Sequence, residues 1–111
     1  MKLLIVVVNN PDLVGDIVPA MVNLDVRGIV SMESESVMQF LAQEVPIFAG
    51  LRDLVTSPKS YNKTIFGISE DPNILDNLYE TLAEIGVDLQ SPGTGYALTI
   101  PVEGIMEGPE E

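Results

Sequence analysis

The sequence has no cysteine. Disulfides, thiol nucleophiles and thiolate metal sites are therefore excluded, and the redox compartment is left open. There is no histidine either, so the side chain that ordinarily moves protons near neutral pH is missing. Positive charge is scarce: 5 lysines and arginines stand against 17 aspartates and glutamates, a net charge of −12 at pH 7. A surface of that sign repels nucleic acid and anionic membranes at long range, and it has few cations with which to hold a phosphate-rich ligand. Long hydrophobic runs are lacking too. The opening run from Leu3 to Val8 stops at Asn9-Asn10-Pro11, which is short for the h-region of a signal peptide, and no small-residue cleavage site follows. No segment approaches the roughly 18 continuous apolar residues of a membrane span. The expectation is a soluble cytoplasmic protein that neither inserts into a membrane nor binds nucleic acid.

What is there is a pattern said twice. Asn10-Pro11-Asp12 opens one helical stretch, and Asp71-Pro72-Asn73 opens another 61 residues later. At that offset Leu13 aligns with Ile74, Ile17 with Leu78, Met21 with Leu82, Leu24 with Ile85 and Val26 with Val87. Each helix follows a short apolar run, Leu3 to Val8 and Thr64 to Ile68. Two strand–helix–strand halves in 111 residues predict one α+β domain, a ferredoxin-like β-α-β-β-α-β sandwich. It should have an antiparallel sheet, two helices on one face and a long connection between strands 2 and 3. The predicted strands are 2–8, 28–33, 63–69 and 96–102. The helices are 11–24, with Asn10 as N-cap, Pro11 in the first turn and a kink at Pro19, and 72–85, capped by Asp71 and stopped by Gly86. The domain spans residues 1–104. An acidic tail, 105–111, follows, and its end is expected to be disordered.

Two segments point beyond the fold. A strand with helices on one face and water on the other should alternate apolar and polar residues. Leu3-Leu4-Ile5-Val6-Val7-Val8 does not. Its second face therefore needs cover, most simply from another copy of the chain, which predicts a homo-oligomer. The second segment is the 34–62 connection, long for a structureless loop and not plainly hydrophilic. Ser36-Val37-Met38-Gln39 has the form of a capping box ahead of Phe40 and Leu41. Ile47, Phe48, Leu51, Leu54 and Val55 follow helical spacing after Pro46. One or two short amphipathic helices are expected there, either closing the sheet or subunit interface or forming an arm that binds a partner.

These residues together resemble the PII-type nitrogen regulatory proteins and their PII-like relatives. The resemblance covers residues 1 to about 104. Strand 1 runs through Asn10-Pro11 into a helix, and helix 1 runs through Val26-Arg27-Gly28-Ile29-Val30 into strand 2. A long connection takes the place of the family's T-loop. Gly93-Thr94-Gly95-Tyr96-Ala97-Leu98 is similar to its glycine-flanked B-loop and the strand after it. The resemblance implies a compact homotrimer and a non-enzymatic signalling role. A small ligand, usually an adenine nucleotide, would lie in clefts between subunits, and the T-loop would dock on a protein target. Carried over residue by residue, Gly93, Thr94 and Gly95 become the phosphate-facing turn, with Val30 and Ser34 near the base of the cleft. The chain departs from the family in its cations. Tyr96 stands where the family places a lysine, and Pro101, Val102 and Glu103 stand where it places arginines after strand 4. The modified tyrosine motif of the T-loop is absent. Either the ligand is less charged, or Arg27, Arg52, Lys59 or Lys63 replaces the missing bases, or the site is empty. Arg52 ranks first among the replacements.

Each candidate also has a plainer reading. Gly93-Thr94-Gly95 offers an anion nest of backbone N–H groups, or simply a tight turn into strand 4. On the first reading, Gly95→Val should abolish the ligand response and spare the trimer. Arg27 is expected to pair with a carboxylate or carbonyls at a helix end. Asp76, Glu80 and Glu84, spaced i, i+4 and i+8, read as a solvated helix face before they read as a cation site. Ser57, Ser60 and Ser91 have no histidine to activate them and read as loop serines. Three alternatives compete with the regulatory reading. One is a degenerate interaction scaffold that binds no nucleotide. The others are a weak phosphohydrolase and a metal-binding trimer like the divalent-cation tolerance proteins.

Overall fold

A computed structural model describes residues 1–37, 41, 47 and 61–108. Lys2–Val8 form β1, Val14–Asn23 α1, Arg27–Glu35 β2, Tyr61–Ser69 β3, Ile74–Glu84 α2 and Gly95–Pro101 β4. The strands make one antiparallel sheet in the order β2-β3-β1-β4. The chain is thus α+β, with a four-stranded antiparallel sheet and two main helices, compatible with a ferredoxin-like arrangement. The element order is not the plain β-α-β-β-α-β expected. A 3-10 turn, Pro11–Leu13, stands between β1 and α1, and Val37 and Leu41 are helical within the β2–β3 connection. The helical spacing expected over 47–55 falls almost wholly outside the described residues, as does Arg52.

The 61-residue repeat is physical at both helix ends. Asn10 Oδ1 accepts from the Asp12 N–H at 3.0 Å, and Asp71 Oδ1 accepts from the Asn73 N–H at 2.8 Å. Both are turns closed by an Asx side chain, which orders the chain just ahead of the helix. Asn73, and not Asp71, is the residue at the N-cap of α2, and its side chain makes no cap bond. Asp71 works one turn earlier, where its other oxygen accepts from Asn77 Nδ2 at 2.6 Å. α1 runs on through Pro19. Gly15, whose carbonyl loses its donor to that proline, is exposed along with it.

At the C-terminal ends Asp25 and Gly86 donate to Val22 and Ala83, and Val26 and Val87 reach back to the carbonyls of Met21 and Leu82. This is the Schellman arrangement, which asks for a left-handed residue after the C-cap. Gly86 fills it with φ +83°, and Asp25 fills it with φ +62°. An aspartate in that region bears a steric cost that glycine does not. Asp25→Gly should therefore raise unfolding stability by about 0.5–1 kcal/mol. Urea denaturation checks this, and no gain would mean that the aspartate is held there by something other than the turn.

The repeat also sets the core. Ile17 and Leu78, and Met21 and Leu82, are buried in one cluster with Leu4, Val6, Val8 and Ile65 of the sheet. Opposed residues of an antiparallel pair share a face. Val6 faces the helices with Ile65 and Ala97, its partners on β3 and β4. The alternate residues, Leu3, Ile5 and Val7, face away from the helices. Ile68 and Phe66 of β3, Ile100 and Leu98 of β4, and Val30 and Met32 of β2 join them by register. No helix among the described residues covers that face, and Val30, Met32, Leu98 and Ile100 are exposed.

At one end of the sheet the tail turns back. The Val102 N–H donates to the Met1 carbonyl at 3.1 Å, and Glu107 accepts a hydrogen bond from the Arg27 guanidinium. Arg27 also pairs with Glu70 at 3.5 Å, and Glu70 with the terminal ammonium at 3.4 Å. Through Glu107, at least, the acidic tail is tied to the domain. The Arg27 pKa is raised above its ordinary value, chiefly by the hydrogen bond to Glu107, with desolvation opposing it.

Candidate functional site

The opposite end of the uncovered face holds a cavity of about 550 Å³. Three elements build it. β1 ends there with Val7 and Asn9, and β2 arrives with Ser34 and Glu35 at the base of the long connection. The turn before β4 closes it with Gly93, Gly95 and Tyr96. Asn62 and Thr64 of β3 form the floor. Along β3 the face that reads Phe66 and Ile68 higher up becomes polar at these two positions, so the apolar sheet ends in a hydrogen-bonding patch.

That patch is internally ordered. The Ser34 hydroxyl donates to Asn62 Oδ1 and lies 2.8 Å from the Thr64 hydroxyl. Asn62 Nδ2 reaches Asn9 Oδ1 at 3.5 Å. Asn62 is only 9% exposed, so its amide needs these partners. Asn9 in turn fixes the turn before β4. Its side-chain amide donates to the Gly93 carbonyl at 2.8 Å and its backbone N–H to the Thr94 carbonyl at 2.9 Å.

The structure thus brings Ser34, Gly93 and Gly95 together in one cavity and leaves Val30 out of the wall. Val30 pairs with Phe66 on the uncovered face. Thr94 lies in the turn, half-buried, but does not line the cavity. Asn9, Asn62 and Thr64 were not singled out by the sequence. The only trace in the sequence is that Asn62 and Thr64 are polar at the alternate positions that continue as Phe66 and Ile68.

The anion-nest reading loses ground in detail. One of its three donors is engaged, since the Thr94 N–H is bonded to the Ser91 carbonyl at 3.2 Å. Gly95 has φ +146°, and a Cβ there would fall 2.0 Å from the Val7 carbonyl oxygen. Its glycine is required by the contact between β1 and the start of β4. Gly95→Val would therefore disturb the contact between β1 and β4 as well as the turn.

The described bases are occupied elsewhere. Arg27 holds Glu70 and Glu107, Lys63 lies 3.4 Å from Glu33, and Lys2 Nζ donates to the Pro72 carbonyl at 3.2 Å. Arg27 pairs with these glutamates, one just past β3 and one in the tail, instead of a helix-end group. Asp76, Glu80 and Glu84 are all exposed on α2, and no cluster of metal-ligating side chains occurs among the described residues. No helix among them is long and apolar enough to cross a membrane. Against known proteins, no family model and no curated protein matches the chain.

Proposed function

We propose that this chain is a non-enzymatic, PII-like regulatory protein. It assembles as a homotrimer through the uncovered sheet face and takes a small ligand in the cavity at the end of that face. It reports occupancy to a protein partner through the connection between β2 and β3. The observation that carries this reading is the cavity itself, where the base of the long connection meets the turn before β4. A ligand held by Ser34 and by the turn would touch the root of the connection. It would favour whichever connection conformer fits it, and a difference of a few kcal/mol between conformers suffices to switch the population. The lack of histidine and cysteine in the sequence supports a binding role over a catalytic one.

A thermal-shift panel of ATP, ADP, AMP, cyclic dinucleotides, bicarbonate, 2-oxoglutarate, amines and divalent ions tests the reading. At 100 times its dissociation constant, one ligand class should stabilise the fold by about 2.7 kcal/mol. The same ligand should change proteolysis within residues 36–60, and Ser34→Ala combined with Thr64→Val should weaken it at least about tenfold, the loss of one or two hydrogen bonds. A flat panel on a folded oligomer would replace this reading with the second one, an interaction scaffold without nucleotide binding. The engagement of Arg27, Lys63 and Lys2 in ion pairs and hydrogen bonds away from the cavity favours that second reading over a nucleotide sensor.

A further inference from the structure

The cavity has a chemical preference that can be read from its walls. Glu35 is the one charged residue among the described lining. Asn9, Ser34, Asn62 and Thr64 supply amide and hydroxyl groups, and Tyr96, more than half exposed, supplies an aromatic ring. No described lysine or arginine lines it, and a chain with net charge −12 surrounds it. A phosphate or carboxylate placed there would meet a like charge at Glu35, a turn whose Thr94 N–H is already bonded, and a repulsive long-range field. For a cation each of these signs reverses. A carboxylate offers a counter-charge, the tyrosine face attracts positive charge through its quadrupole, and the side-chain oxygens accept N–H bonds. Val7 and the tyrosine ring also give an apolar surface that a hydrated metal ion would not use, so the walls suit a cation that carries carbon.

We propose that this cavity binds a small organic cation, an amine or quaternary ammonium compound, against Tyr96, with the Asn9–Ser34–Asn62–Thr64 patch fixing its orientation and Glu35 at the cavity's edge as its counter-charge. The inference rests on the reading of this cavity as the ligand site and names the class of ligand. The negative field steers such a ligand towards the protein, and the carboxylate and the ring retain it.

Isothermal titration calorimetry on the full chain, with putrescine and choline as probes and AMP as the anionic control, tests it at about 0.15 M ionic strength, where diffuse attraction is largely screened. At least one amine should bind saturably, one per chain, and AMP should not. Glu35→Gln and Tyr96→Leu should each weaken that amine by tenfold or more. Glu84→Gln, which removes an exposed acid from α2, should leave binding unchanged. Equal losses from Glu84→Gln and Glu35→Gln would mean diffuse counter-ion attraction and would overturn the proposal. Saturable AMP binding that Ser34→Ala weakens, with both amines inert, would overturn the choice of ligand class but keep the cavity as the site. Silence from all three probes, with the cavity variants folded, would count against both.

Discussion

Gly95→Ala is expected to destabilise the fold by about 3 kcal/mol, more than its single added methyl would elsewhere on the surface. Two causes add. The residue sits at φ +146°, where side chains are rarely accommodated, and its Cβ would fall 2.0 Å from the Val7 carbonyl oxygen and 3.0 Å from Val8 Cα. Those atoms are backbone of the central strand, so they cannot swing aside as a side-chain tip does. Relief requires β4 to move off β1 at the point where Val8 pairs with Gly95. For a domain of this size a loss of about 3 kcal/mol lowers the melting temperature by more than about 10 °C. Gly104→Ala is the control. A Cβ there meets nothing within 4 Å, and the change should stay within about 0.5 kcal/mol. Urea melts of the three proteins decide the matter. A Gly95→Ala variant within about 1 kcal/mol of the parent would mean that the turn relaxes freely and that its glycine serves something other than the strand contact.

That result bears on how the site should be probed. A ligand response lost in a Gly95 variant would report a displaced strand as readily as a missing contact. Ser34 and Thr64 are better probes, because their hydroxyls sit in the cavity wall and their removal leaves the backbone ladder unchanged.

The sequence made the helices legible because their signals are local. The Asx–Pro pair ahead of each, the paired apolar positions 61 apart and Gly86 after α2 all lie within a turn or two of what they specify. Asp25 was not legible as the partner of Gly86, since an aspartate carries no mark of positive φ in its type. The strand ends were missed for a different reason. β2 runs on to Glu35 and β3 begins at Tyr61 because Ser34 pairs with Asn62 and Glu35 with Tyr61. Such pairing joins residues far apart in sequence, and serine, asparagine and glutamate have weak strand preferences of their own. The same register assembles the cavity. Ser34, Gly93 and Gly95 were found through a family resemblance, whereas Asn9, Asn62 and Thr64 became visible only once the ladder set them side by side.

Leu98→Glu is expected to reduce the proposed homotrimer to single chains while leaving the fold intact. Leu98 lies on β4 opposite Ile5, on the face that turns away from both helices. Around it Leu3, Val7, Phe66, Ile68 and Ile100 are apolar, and the register positions of this face in 30–34 of β2 add Val30, Met32 and Ser34, none of them charged. In a chain with 17 acids and 5 bases, these positions carry no acid, and the register position opposite Ile68 is the basic Arg27, so self-association is locally unopposed by like negative charge. A glutamate at 98 alters the two states unequally. In an isolated chain the side chain is already more than a third exposed, so its carboxylate keeps much of its water. Against another copy it would be buried without a counter-charge, which costs several kcal/mol for each chain at the interface. Sedimentation equilibrium should therefore show three chains for the parent and one for the variant, with the far-ultraviolet circular dichroism unchanged. An unaltered mass for Leu98→Glu would place the interface on another surface. A parent that sediments as one chain at every concentration would remove the trimer, and with it any cleft shared between subunits, leaving the cavity to work from the walls of a single chain.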